Sequence, residues 1–179
     1  MTESEMHYKY HCETPSDIHE HLPVLREYAL RCTSIAEFGV RTVVSTWALL
    51  HKGAKVFSYD IAYEPNVASC QAICAREGTH WDYRLENTRT ALLPQDVDMI
   101  FFDSFHSYDQ VKAELSQHAH RANRYLAFHD TVTFAVNGMG GEPGILPAIK
   151  EYMESHPEWS LVHDAKNNNG LMIFGKESI

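Results

Sequence analysis

The chain has 179 residues, 44% hydrophobic and 22% charged, which suits one folded domain with a single core and excludes a disordered chain. Its 15 basic and 24 acidic residues leave a net charge of −9. The Lys and Arg residues are scattered, which argues against a nucleic-acid partner, because phosphate contact needs a basic patch. No apolar run approaches the ~20 residues that span a bilayer, and the first residues lack a signal-peptide core. The expectation is a soluble, cytoplasmic protein with no membrane partner.

Taken in chain order, Pro23 suits a first helical position, and Leu22, Leu25 and Ala29 then form an apolar stripe. From residue 34 onward apolar runs alternate with amphipathic stretches, the rhythm of a parallel sheet covered by helices. Strands are expected at Ser34–Phe38, Lys55–Asp60, Trp81–Leu85, Val97–Asp103, Arg124–His129, Ser160–His163 and Leu171–Gly175. Helices are expected at Thr42–His51, Val67–Glu77, Tyr108–Arg121 and Pro147–Ser155, with Ser107 and Gln110 forming a capping box ahead of the third. Residues 131–146, with four glycines, read as a loop and a candidate lid. Residues 1–33 form an N-terminal segment and helix, 34–179 the core, and no linker divides the chain.

The four cysteines, Cys12, Cys32, Cys70 and Cys74, match neither a zinc frame nor a secreted disulfide scaffold. Cys70 and Cys74 read as buried small apolar residues. His118 and His120 read as a solvated pair at a helix end. Tyr108, Trp47, Phe105 and Phe134 either line an aromatic pocket or pack the sheet edge.

In open α/β sheets ligands sit at the carboxyl ends of the strands, so acidic residues collected there are site candidates. Glu37 and Gly39 close the first strand, and the following helix offers unpaired N–H groups, a geometry able to hold a nucleotide-like or amino-acid ligand. A plain strand-to-helix turn explains these residues as well. Asp60 ends the second strand, about twenty residues beyond that turn, where a carboxylate either accepts ribose hydroxyls or is a solvated strand end. The segment DMIFFDSFHSYDQVKAEL delivers Asp103 from a wholly apolar strand and places His106 three residues later.

With these pieces in order from Glu37 to Asn169-Gly170-Leu171, the sequence resembles the class I S-adenosylmethionine-dependent methyltransferases. The likeness is to their small-molecule O-methyltransferase and cephalosporin-hydroxylase-like branch. The resemblance implies a Rossmann-like α/β fold with a seven-stranded, mostly parallel sheet, the last hairpin supplying an antiparallel strand. It implies S-adenosyl-L-methionine as cofactor, contacted by Glu37, Gly39, Ser45, Thr46, Asp60, Asn87 and Asp103, with Asn87 near the adenine amine. It also implies a divalent metal, usually magnesium, on Asp103 and Asp130, with His106 as general base. His129 stands where relatives carry a carboxylate, and an imidazole there shifts preference toward manganese, iron or zinc.

Chemistry supports the same assignment. Methyl transfer to oxygen needs a deprotonated hydroxyl, which a cation and a histidine near its unperturbed pKa of about 6.5 together provide. A strand-end cluster of ion pairs is the alternative. The expected activity is methyl transfer to a hydroxyl of a small-molecule acceptor. A metal-dependent hydroxylase-like enzyme and a binding module without transfer are the rivals, and the protein is either a monomer or a homo-oligomer that borrows a lid.

Overall fold

The computed structural model describes residues 1–176; residues 177–179, the end of the expected core, lie outside the described residues. Seven strands form one sheet: β1 (Ser34–Phe38), β2 (Lys55–Asp60), β3 (His80–Leu85), β4 (Val97–Phe102), β5 (Ala122–His129), β6 (Trp159–Ala165) and β7 (Leu171–Lys176). Their order is β3-β2-β1-β4-β5-β7-β6. Strands β1 to β5 pair in parallel, and β7 runs antiparallel between β5 and β6.

Alternation along the strands feeds two cores, as a period of two requires. Ile35, Val56, Met99 and Ile173 meet α2 (Leu22–Ala29), α3 (Val44–Leu49) and α4 (Pro65–Glu77) on one face. On the other, Phe38, Ile100, Leu126 and Phe128 meet α5 (Tyr108–His118) and α6 (Ile145–Ser155). Cys70 and Cys74 are buried free thiols in the first of these cores.

Helix boundaries depart from expectation for local reasons. The helix expected at Thr42–His51 shrinks to α3 because Val43 before it holds left-handed backbone, φ 69°, and Leu50 after it is extended. Helix α4 starts earlier, at Pro65, since proline fits the first turn. The helix expected to run to Arg121 stops at His118, followed by a 3-10 turn over Ala119–Arg121. Helix α6 starts two residues earlier than expected, at Ile145.

One helix, α1 (Glu3–Glu13), was not expected, because it has no buried residue and no apolar stripe. Its signal is local: the Thr2 hydroxyl accepts the Glu5 N–H as an N-cap. Polar contacts dock it, with Ser4 N donating to Glu77 at 3.0 Å, Arg26 paired to Glu5 at 2.8 Å, and His7 stacked on Trp47 at 4.5 Å. Among the described residues no helix is long and apolar enough to cross a membrane.

Candidate active site

The carboxyl ends of β1 to β5 open on a cavity of about 680 Å³, within the range that takes a small ligand or cofactor. Gly39, at φ +91°, makes the turn out of β1 possible: a Cβ there would lie 2.1 Å from the Asp103 carbonyl oxygen. The backbones seal this junction, with Asp103 N donating to Phe38 O and Gly39 N to Tyr59 O.

Four side chains converge at the ends of β4 and β5. His106 Nε2 lies 3.2 Å from Asp103 Oδ1 and 2.9 Å from Asp130 Oδ2. His129 Nδ1 lies 3.2 and 3.4 Å from the same two oxygens. Asp130 reaches inward from left-handed backbone, φ 58°, a conformation aspartate tolerates better than most residues. The His106 ring stacks on Phe134 at 4.9 Å, and its Nδ1 faces the Met139 sulfur at 3.5 Å.

Burial pulls both imidazoles down, but the hydrogen bonds and charges of Asp103 and Asp130 outweigh it and lift His106 to about 9 and His129 to about 10. Both carboxylates resist the upward push of burial and sit below the usual range because the two histidines face them. Asp103, His129 and Asp130 each offer a ligand atom, all within 4.8 Å of one another. Ligands in adjacent positions around a cation with bonds of ~2.1 Å lie ~3 Å apart, so this N/O donor set fits a divalent metal, and its imidazole favours borderline metals.

The other expected contacts divide. Gly39, Ser45, Asp60, Asn87 and Asp103 line the cavity, together with His106 and Asp130. Glu37 and Thr46 do not, which corrects the expectation that they touch a ligand directly. Glu37 is fully buried, and its carboxylate accepts the Ser45 (2.7 Å), Thr46 (2.9 Å) and Ser58 hydroxyls, the last backed by Trp81 Nε1. Burial pushes its pKa up to about 7 against the pull of those donors.

Asp60 is no loosely solvated strand end. Its Oδ2 accepts the Val40 and Arg41 amides, both at 2.8 Å, and Oδ1 accepts Ala62 N. It braces the glycine-poor turn from beside the cavity. Asn87 lines the cavity with its side-chain oxygen already accepting Arg89 N at 2.9 Å.

Two expectations about flanking residues are corrected. His118 is buried and its Nε2 bonds Thr88 O at 2.7 Å, so it is not a solvated partner of His120. Gln110 does not close a capping box: Ser107 Oγ accepts Gln110 N, but the Ser107 N–H goes to Phe105 O and the Gln110 amide points elsewhere. Of the four aromatics, Phe105 and Phe134 line the cavity, whereas Trp47 stacks on His7 and Tyr108 bonds Glu151. The expected lid contributes Thr133, Phe134 and Met139 to the wall and is fastened by Met139 N donating to His106 O.

Asp17, Ile18 and Asn169 also line the cavity, and sequence reasoning missed them. Asn167, Asn168 and Asn169 clasp the segment from Ser16 to His21, for instance Asn169 Nδ2 to Asp17 O and His21 Nε2 to Asn167 O, both at 3.0 Å. The run of three asparagines before Gly170 was the available signal, since asparagine tolerates left-handed backbone. Arg41 closes the rim with a two-pronged ion pair to Asp17.

This strand order, with β7 inserted antiparallel beside β5 and the cavity across the parallel strand ends, is the class I S-adenosylmethionine-dependent methyltransferase fold. A caffeoyl-CoA O-methyltransferase-like protein from Staphylococcus aureus shares it at a TM-score of 0.69 and 14% identity, over 99% of this chain and 93% of that one. The N-methyltransferase NodS from Bradyrhizobium japonicum, in complex with S-adenosyl-L-homocysteine, superposes at 0.65 and 13% identity, over 93% and 91%. Magnesium protoporphyrin IX methyltransferase from Synechocystis, with bound S-adenosylmethionine, superposes at 0.65 and 11% identity, over 98% and 92%. No family model and no curated protein matches the sequence.

Proposed function

We propose that this protein transfers a methyl group from S-adenosylmethionine to a hydroxyl of a small-molecule acceptor, with a divalent cation held by Asp103, Asp130 and His129. The observation that carries the reading is the convergence of two carboxylates and two imidazoles at one end of a cavity large enough for a nucleoside cofactor. Structural neighbours described with S-adenosylmethionine or S-adenosylhomocysteine bound support the cofactor. They include N-methyltransferases, so the preference for oxygen rests on the cluster.

When bound, the cofactor's sulfonium would supply an electrophilic methyl, and a cation on Asp103, Asp130 and His129 would lower the pKa of an acceptor hydroxyl. The protein's own groups do the rest. Gly39 lets the turn after β1 pack directly on the Asp103 backbone at the edge of the cavity, while Asp60 holds the Val40 and Arg41 amides beside it. Phe134 fixes the plane of His106, and Met139 packs against its Nδ1 edge. Once Asp103 and Asp130 are engaged elsewhere, His106 Nε2 is freed to accept the hydroxyl proton. Phe105, Phe134 and Met139 give the acceptor an apolar wall and keep water from the reacting atoms.

Calorimetric titration with S-adenosylhomocysteine, manganese and magnesium tests the reading, followed by turnover of a panel of hydroxylated acceptors. One cofactor site and one cation site are expected, the latter lost in Asp130→Asn. Failure to bind S-adenosylhomocysteine overturns the cofactor, and cofactor binding without turnover of any acceptor favours a binding module.

A further inference from the structure

A second polar cluster sits where the wall of the cavity passes from the end of β3 to the first turn of α5. Glu114 is fully buried, and its Oε1 accepts three donors: the Thr88 hydroxyl (2.5 Å), the Ser104 hydroxyl (2.6 Å) and Gln110 Nε2 (2.8 Å). Gln110 Nε2 also donates to Thr88 Oγ1 at 3.0 Å. Thr88, Ser104 and Gln110 all line the cavity, and Glu114 lies behind them.

The Gln110 side chain is held through its amide nitrogen. A glutamine amide has two N–H groups and one carbonyl oxygen. One N–H of Gln110 is shared between Glu114 Oε1 and Thr88 Oγ1, two oxygens that lie 2.5 Å apart. The amide cannot turn over without setting its carbonyl against Glu114 Oε1, acceptor against acceptor. Oε1 of Glu114 remains the acceptor of all three donors whether the carboxyl is ionised or carries a proton on Oε2, an oxygen with no partner. Gln110 Oε1 is thereby left to the cavity as a hydrogen-bond acceptor of fixed orientation, without a protein partner among the described residues.

Building on the cofactor reading above, we infer that Gln110 is a specificity residue whose Oε1 accepts the exocyclic amine of the cofactor's purine, and that Glu114 is the positioning residue that holds it so. A purine carrying an amine meets its acceptor there. One carrying a carbonyl at the same position sets two acceptors against each other in a partly dry wall, and a site built around one partner rejects the analogue lacking it.

The full chain is titrated calorimetrically with S-adenosylhomocysteine and with its deaminated analogue, in which the purine amine is replaced by a carbonyl. The parental protein is expected to favour the amine by about tenfold or more. Gln110→Leu, which neither donates nor accepts, should bring the two dissociation constants within about threefold. Glu114→Gln should also narrow the ratio, because its amide can offer a donor and let Gln110 turn over. A merely structural role for Glu114 would weaken both ligands equally and leave the ratio unchanged, which overturns the positioning assignment. Equal affinity of the parental protein for both ligands overturns the assignment of Gln110 while the cofactor reading stands; this comparison needs no variant to fold. Binding of neither ligand overturns the cofactor reading and the Gln110 assignment together.

Discussion

Glu37 offers a measurement of how the protein's interior handles a buried acid. Its carboxyl is sealed beneath the cavity floor, where burial lifts its pKa from 4.5 to about 7 despite three donated hydroxyls. Below pH 4.5 the group is protonated in both folded and unfolded chains and contributes no pH dependence. Between 4.5 and 7 the folded protein holds a proton that the unfolded chain has released, so stability falls as pH rises through this window. The cumulative loss is about 3 kcal/mol, from a 2.5-unit difference at ~1.4 kcal/mol per unit. Glu37→Gln removes this contribution while keeping the shape. Urea unfolding of both proteins, followed by circular dichroism from pH 4.5 to 8.5, gives the difference in stability at each pH, in which the other carboxylates cancel. The variant should gain about 3 kcal/mol on the parent between the ends of that range. Curves that run parallel throughout would show that the three hydroxyls hold Glu37 ionised at ordinary acidity and refute the argument.

Other outcomes follow from the same geometry. Asp60→Ala should weaken S-adenosylhomocysteine binding and also lower stability in denaturant melts by about 1–3 kcal/mol, because the Val40 and Arg41 amides lose their acceptor; unchanged melts would show that water replaces the carboxylate. Gly39→Ala places a Cβ 2.1 Å from the Asp103 carbonyl oxygen on left-handed backbone, and the midpoint of unfolding should report a loss above about 2 kcal/mol. His106→Ala should lower turnover by roughly 10²–10⁴-fold at nearly unchanged cofactor affinity, and a parental rate would assign the proton transfer to another group.

The central strands were legible from their apolar segments, and the cluster at β4 and β5 was legible because Asp103 directly follows Met99–Phe102 and Asp130 follows Leu126–Phe128 after one histidine. Residues whose partners lie far along the chain were not. Glu37 and Asp60 can be placed at strand ends from sequence, but nothing local shows that one is enclosed by Ser45, Thr46 and Ser58 while the other braces two amides. Gln110 satisfied a local capping pattern, yet a buried acceptor on the next helical turn and Thr88, 22 residues upstream, claimed its side chain instead. Helix α1 escaped detection because polar and stacking contacts dock it, and periodicity reports only apolar faces.

The asparagine clasp joins residues separated by 146 to 152 positions. At a synthesis rate of about 5–20 residues per second, the segment around Asp17 and Ile18 waits roughly seven to thirty seconds for Asn167–Asn169 to be made. Until then the cavity lacks a wall and the Arg41–Asp17 pair has nothing to anchor its acidic end. A nascent chain therefore cannot offer a finished pocket to a ligand before its closing hairpin exists, and binding-competent molecules are those whose translation has run past the clasp.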